Sequence, residues 1–189
     1  VTGIGTINPL GHNIEDYFKN LEAGVSGAAP ITNFDASNFK VRFACEVKDY
    51  DWSQYFDRKE VRKYDRFAQF ALISASEAVA DAAFGEDVNR RRCGVVWSSG
   101  VGGIETYFQE CMDYAKGGEL PRFSPFFVPR MIADLAAGHI AMKDGFMGPN
   151  YSVTSACASS NHAMIDAFNL IRLGKADVIV TGGAEAPII

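Results

Sequence analysis

Ser152-Val153-Thr154-Ser155-Ala156-Cys157-Ala158-Ser159-Ser160-Asn161-His162-Ala163 is the stretch on which the fold turns. Ser152 to Thr154 reads as a short buried strand and Ala158 to Leu173 as a helix, so strand passes into helix within a few residues and Cys157 falls at the junction. A thiol in the first helical turn faces unpaired backbone N–H groups and the positive end of the helix dipole, both of which favour thiolate over thiol. Small neighbours, Ala156, Ala158, Ser159 and Ser160, leave room beside the sulfur for an acyl chain. The same N–H groups can meet a thioester oxygen as charge develops on it. Position alone leaves two readings open: a nucleophile, or a buried structural cysteine, which is what most cysteines are.

Working outward, strand and helix alternate. Val178 to Thr181 is an apolar, β-branched run of the parallel-sheet type, and Cys93 to Trp97 a second short strand. Asp65 to Phe84 is the longest periodic segment; Phe67, Phe70, Ala71, Ala75, Ala78, Val79, Ala82 and Ala83 share a face that Leu72 and Ile73 widen, so this helix is expected to be largely buried. Shorter helices are expected over residues 13 to 24, with Asn13 as cap and Ile14, Phe18 and Leu21 on one face, over Glu105 to Lys116, and over Arg130 to Lys143. Arg42 to Val47 reads as a strand, and Val1-Thr2-Gly3 as the end of one. The sum is an α/β layered fold, a mixed, mostly parallel sheet covered by helices. Gly117 to Pro129 is the least regular stretch, and its Phe123, Phe126 and Phe127 require burial somewhere.

The bulk composition excludes several classes. With 48% hydrophobic and 22% charged residues the chain belongs with globular domains. No apolar run approaches the roughly 18 residues of a membrane span, and no secretory leader opens the sequence, so a cytoplasmic protein without membrane attachment is expected. The formal charge of −5 argues against a general affinity for nucleic acid. Four cysteines, at 45, 93, 111 and 157, and three histidines never fall at ligand spacing, so no metal is expected and the thiols are read as reduced. Gly3-Ile4-Gly5 lacks the third glycine of a dinucleotide fingerprint, Ser98 to Gly103 lacks the Lys-Ser/Thr end of a phosphate loop, and no Gly-x-Ser-x-Gly elbow is present. No cofactor is expected.

The cysteine segment, the opening Val1-Thr2-Gly3-Ile4-Gly5 with Asn8-Pro9-Leu10-Gly11, Ser98-Ser99-Gly100-Val101-Gly102-Gly103, Ser124-Pro125-Phe126-Phe127-Val128-Pro129 and Val180-Thr181-Gly182-Gly183-Ala184-Glu185 together resemble β-ketoacyl-acyl-carrier-protein synthase II. They stand in the family's order and span essentially the whole chain. The resemblance implies a thiolase-like fold of two similar halves and a homodimer, with residues 1–189 as the amino-terminal part and the second half outside this chain. It implies decarboxylative condensation in fatty acid elongation, with Cys157 as the acyl-accepting nucleophile. It also implies two histidines in the second half, so the chain alone is expected not to turn over. A polyketide ketosynthase, or a piece that only binds the carrier, are the alternatives.

By the same resemblance Val101 gates the acyl pocket, Phe127 reaches from one subunit toward the other's pocket, and Ala156 lines the acyl channel. Ordinary core or interface packing is the competing reading of all three. Arg58, Lys59, Arg62, Lys63 and Arg66 form a basic cluster in an acidic chain; Lys59, Arg62 and Lys63 match positions that meet the acidic acyl carrier protein. A solvated face, interrupted by Glu60 and Asp65, is the alternative. Arg90-Arg91-Arg92 carries no assigned role. His162 leaves its helix about 140° round from Cys157, which disfavours a direct pair. His139 reads as a hydrogen-bonded core histidine and His12 as part of a turn.

Overall fold

The computed structural model describes residues 1–85, 87–118 and 120–189. In chain order these form α1 (Ile14–Glu22), β1 (Ala29–Pro30), β2 (Phe43–Ala44), α2 (Arg66–Ala82), β3 (Cys93–Ser98), α3 (Ile104–Lys116), α4 (Phe127–Met131), α5 (Leu135–Asp144), β4 (Asn150–Val153), α6 (Ser159–Arg172) and β5 (Val178–Gly183). The main sheet has the order β4-β3-β5, and both pairings are parallel. The fold is α/β, as the sequence reading expected.

Strand β3 lies at the centre and all six of its residues are buried, as a central parallel strand requires. Side chains alternate across it. Cys93, Val95 and Trp97 join Phe67, Leu72, Ala136 and Ile140 in a core shared with α2 and α5. Ser98 points the other way, where its hydroxyl meets that of Ser160 on α6 at 3.3 Å. Phe67, Leu72 and Ile140 are almost completely withdrawn from water, and burial of each contributes about 2–3 kcal/mol. Helix α2 starts at a strong cap: the Asp65 carboxylate accepts from the Phe67 N–H at 3.3 Å, and from the Thr106 N–H and hydroxyl at 2.9 and 2.6 Å. Gly145 ends α5 in the left-handed region, letting the Phe146 N–H reach Ala141 O.

The structure departs from the sequence reading in four places. The helix expected over Arg130 to Lys143 is two helices, α4 and α5, broken at an extended Ile132. The Met131 carbonyl, which would accept from the Leu135 N–H in a continuous helix, instead accepts from Gly103 N–H, and Leu135 bonds to Ile132 O. The strand expected over Arg42 to Val47 shortens to β2, paired antiparallel with β1. Residues 1–3 form no strand. That segment runs along α2, its Ile4 and Thr6 N–H groups donating to Asp81 and Glu77, and a side chain at Gly3 or Gly5 would collide with α2 carbonyls 2.1 Å away. Finally the short buried strand expected over Ser152 to Thr154 is β4, which ends at Val153 and, as an edge strand, is nowhere fully buried; α1 forms as expected, with the Asn13 side chain accepting from Asp16 N–H.

Candidate active site

Register decides where the loops meet. Ser98 pairs with Val153 on one side and with Gly183 on the other, so all three strands end level. The segments that follow them, Ser99 to Gly103, Thr154 to Ala158, and Ala184 onward, therefore share one edge of the sheet. In parallel α/β sheets this carboxyl-end edge is where ligands bind.

Between β4 and α6 the chain makes a sharp turn. Ser155 is extended at φ −154, Ala156 has φ +50, and Ala156–Ala158 form a single 3₁₀ turn that runs directly into α6. A left-handed alanine costs on the order of 1 kcal/mol, so the surrounding bonds must hold it. Ser159 does so: its buried hydroxyl accepts from the Ser155 N–H at 2.8 Å and donates to Ala156 O at 2.6 Å. The turn leaves Cys157 exposed at its tip. Two of the amides that the sequence reading left free for developing charge are already engaged, Ala158 N–H by Ser155 O and Ser159 N–H by Ala156 O.

The other thiols occupy different settings. Cys93 is buried in β3, bonds to Asn89 O at 3.4 Å, and burial pushes its thiol up, away from thiolate. Cys45 and Cys111 are exposed and lie outside the strand-end loops. His162 is engaged by Ser155, whose hydroxyl lies 2.6 Å from Nδ1. His139 is a correction: it is half-buried and meets Tyr64 edge-on at 4.7 Å, but its buried Nε2 has no hydrogen-bond partner. Burial, then the nearby Lys63 charge, hold its pKa below the ordinary 6.5. His12 bonds to Lys48 O.

Val101 sits on the loop after β3 and is more than half exposed. Gly100, beside it, faces Ala156: a Cβ there would stand 4.0 Å from the Ala156 Cα. The loop that carries Val101 therefore lies against the turn that carries Ala156 and Cys157. Phe127 opens α4 and lies between the rings of Tyr107 and Phe123, stacked at 24° and 14°, with Tyr114 stacked on Phe123 beyond. Phe123 and Phe127 thus find ring partners rather than full burial, while Phe123 and Phe126 stay exposed. A cavity of about 1180 Å³ lies between residues 1–9, α2, α6 and β5, and its lining includes none of Cys157, Val101, Phe127 or Ala156.

Lys59, Arg62 and Lys63 are exposed on a turn and a single 3₁₀ turn leading into α2. Asp65 does not interrupt this surface, being buried as the α2 cap, and Arg66 is drawn off it by Glu105 at 3.2 Å. Of the second basic run, Arg92 pairs with Asp177 at 2.6 and 2.7 Å and Arg90 packs over Phe146, so those two serve the fold.

Sequence reasoning named two residues of this edge, Ser159 and Glu185, without giving either a role in holding the loops. Ser159 braces the cysteine turn; its place just ahead of a helix was the available sign. The Glu185 carboxylate accepts from Gly100 N–H at 2.6 Å and Val101 N–H at 3.0 Å, a partnership across more than 80 residues of chain that no local pattern announces.

Cys157 is thus an exposed thiol that follows the left-handed Ala156 between strand and helix, at the carboxyl edge of a parallel sheet. The chain belongs to the β-ketoacyl synthase family: residues 1–189 match the pattern described as beta-ketoacyl synthase, N-terminal domain. It is 41% identical over its whole length to a 3-oxoacyl-[acyl-carrier-protein] synthase 2 of Synechocystis sp., and 39% identical to one of Staphylococcus aureus. It spans 45% and 47% of those proteins, about half their length. Among solved structures, the ishigamide ketosynthase/chain length factor superposes with TM-score 0.89 at 30% identity over 98% of this chain and 47% of its own. A beta-ketoacyl synthase from Burkholderia phymatum does so with TM-score 0.83 at 25% identity, over 98% and 46%.

Proposed function

We propose that the protein containing this chain is a β-ketoacyl-acyl-carrier-protein synthase of fatty acid elongation and that Cys157 carries the acyl group. The observation that bears the reading is the exposed Cys157 on its braced turn at the start of α6. In the proposed sequence the Cys157 sulfur attacks the thioester carbonyl of acyl-carrier; a new C–S bond forms and the carrier's phosphopantetheine thiol leaves with the proton. Malonyl-carrier then loses carbon dioxide, and the electron pair of the broken C–C bond attacks the Cys157 thioester. The new C–C bond gives the β-ketoacyl-carrier and returns the Cys157 sulfur. Positive potential at the helix start stabilises charge on the sulfur as it enters and leaves. The resemblance to β-ketoacyl-acyl-carrier-protein synthases implies two histidines that assist decarboxylation in the second half of the fold, outside residues 1–189; within this chain His12 bonds to Lys48 O and His162 lies beside Ser155.

In this reading Val101 and Ala156 border the acyl chain, Phe127 reaches toward a partner subunit of a homodimer, and Lys59, Arg62 and Lys63 receive the acidic acyl carrier protein. The exposure of all three cations and the names of the relatives support the carrier assignment. No helix among the described residues is long and apolar enough to cross a membrane; in this reading the enzyme is cytoplasmic. A polyketide ketosynthase is the second reading, favoured by the 30% identity to the ishigamide ketosynthase/chain length factor; the higher identity to the two 3-oxoacyl-[acyl-carrier-protein] synthases supports the first.

The test is to incubate the intact protein with acyl-carrier thioester and locate the adduct by mass spectrometry. A single acyl group on Cys157 that disappears in Cys157→Ala is expected. Modification elsewhere, or condensation surviving in Cys157→Ala, overturns the assignment.

A further inference from the structure

We infer that Glu185 is a positioning residue that fixes the loop carrying Val101 against the Cys157 turn and thereby sets acyl-chain selectivity; the inference rests on the ketosynthase reading above. One carboxylate oxygen, Oε2, accepts from the consecutive N–H groups of Gly100 and Val101 at 2.6 and 3.0 Å. The Ser99 hydroxyl donates to the same carboxylate at 3.2 Å and accepts from Gly102 N–H at 2.9 Å. Three successive amides of this loop are thus held, directly or through Ser99, by one side chain that follows β5. A run of backbone N–H groups converging on an anion is a nest, here filled by the protein's own carboxylate.

The loop is also tied on its other flank. The Thr154 hydroxyl, at the end of β4, donates to Ser99 O at 3.0 Å. Thr154 leads into the cysteine turn and Glu185 leaves β5, so the loop is pinned from both neighbouring strands, and its distance from Ala156 follows from those two anchors. Charge-assisted bonds to backbone N–H are the stronger of the two ties. With the Glu185 side chain shortened, the Gly100 and Val101 N–H groups turn toward water, the exposed Val101 loop relaxes, and the wall it forms beside the acyl chain loses definition.

The experiment compares the intact protein with Glu185→Ala, Glu185→Gln and Ser99→Ala, using acyl-carrier thioesters of increasing chain length and reading acylation of Cys157. In Glu185→Ala the ratio of kcat/KM between favoured and disfavoured lengths falls on the order of tenfold. Glu185→Gln, whose amide oxygen still accepts from both N–H groups, keeps the ratio within about threefold. Ser99→Ala shifts it in the same direction as Glu185→Ala by a smaller factor, and decides the question if Glu185→Ala does not fold. A folded Glu185→Ala or Ser99→Ala with an unchanged length profile overturns the role of the clamp. Failure of the unsubstituted protein to acylate at Cys157 overturns the ketosynthase reading instead, and the selectivity role with it.

Discussion

The hydroxyl of Ser155 lies 2.6 Å from Nδ1 of His162, across the turn that carries Cys157. The imidazole nearest in sequence to the thiol is therefore tied to the strand side of the turn. His162→Ala is expected to lower acylation of Cys157 by less than about tenfold, through loosening of the turn alone. Single-turnover kinetics checks this; a loss on the order of a thousandfold would identify His162 as the base for the sulfur.

Ala156 holds φ +50 without being glycine. Ala156→Gly is expected to stabilise the protein by about 0.5–1 kcal/mol, since glycine adopts this conformation without a Cβ clash. Ala156→Val is expected to destabilise it by more than about 1 kcal/mol. Urea denaturation of the intact protein measures both, and equal midpoints for the alanine and valine forms would show that the turn is not left-handed in solution.

Asp65 joins two helices, capping α2 while accepting both polar hydrogens of Thr106 on α3. Its removal leaves buried donors without acceptors, so Asp65→Ala is expected to cost about 2–4 kcal/mol. Thr106→Val, which keeps the backbone N–H bond, is expected to cost about 1 kcal/mol. The double variant should cost less than the sum, because both substitutions remove the same hydroxyl bond.

Burial and Lys63 keep the His139 pKa below 6.5 in the folded protein. The unfolded chain therefore binds the proton more readily, and stability rises with pH across this interval. The contribution is fully present above about pH 6.5, is lost as pH falls through the interval, and changes no further below the folded value. His139→Phe preserves the edge-on contact with Tyr64 and cannot titrate. The urea midpoint of the unsubstituted protein should fall more steeply than that of His139→Phe between about pH 7 and pH 5; parallel curves would contradict the shift.

Reversing Lys59, Arg62 and Lys63 to glutamate together should raise KM for carrier-bound substrates about tenfold at low salt and less at high salt. Turnover of small pantetheine thioesters, which do not touch the patch, should be unchanged. Equal losses on both substrates would count against carrier docking at this surface.

Much of the site was legible because its signals are local. A short strand, a cysteine among small residues and a helix pattern announced the turn, since a thiol at a strand-to-helix junction depends on residues only a few positions apart. The long apolar period of α2 and the β-branched run of β5 were equally plain. The break between α4 and α5 was not, because a distant Gly103 N–H captures the Met131 carbonyl that would have continued the helix. The orphaned Nε2 of His139 and the buried role of Asp65 likewise depend on neighbours from other elements.

By itself, then, the sequence determined the class of sheet, the turn that carries Cys157 and the cations before α2, each set by propensity, periodicity or charge along the chain. Only the tertiary structure decided which loops surround the thiol. Parallel register levels β4, β3 and β5 at Val153, Ser98 and Gly183. Hydrogen bonds between strands are fixed by backbone geometry across the sheet, not by spacing along the chain, and they bring Glu185 to Val101 and Thr154 to Ser99.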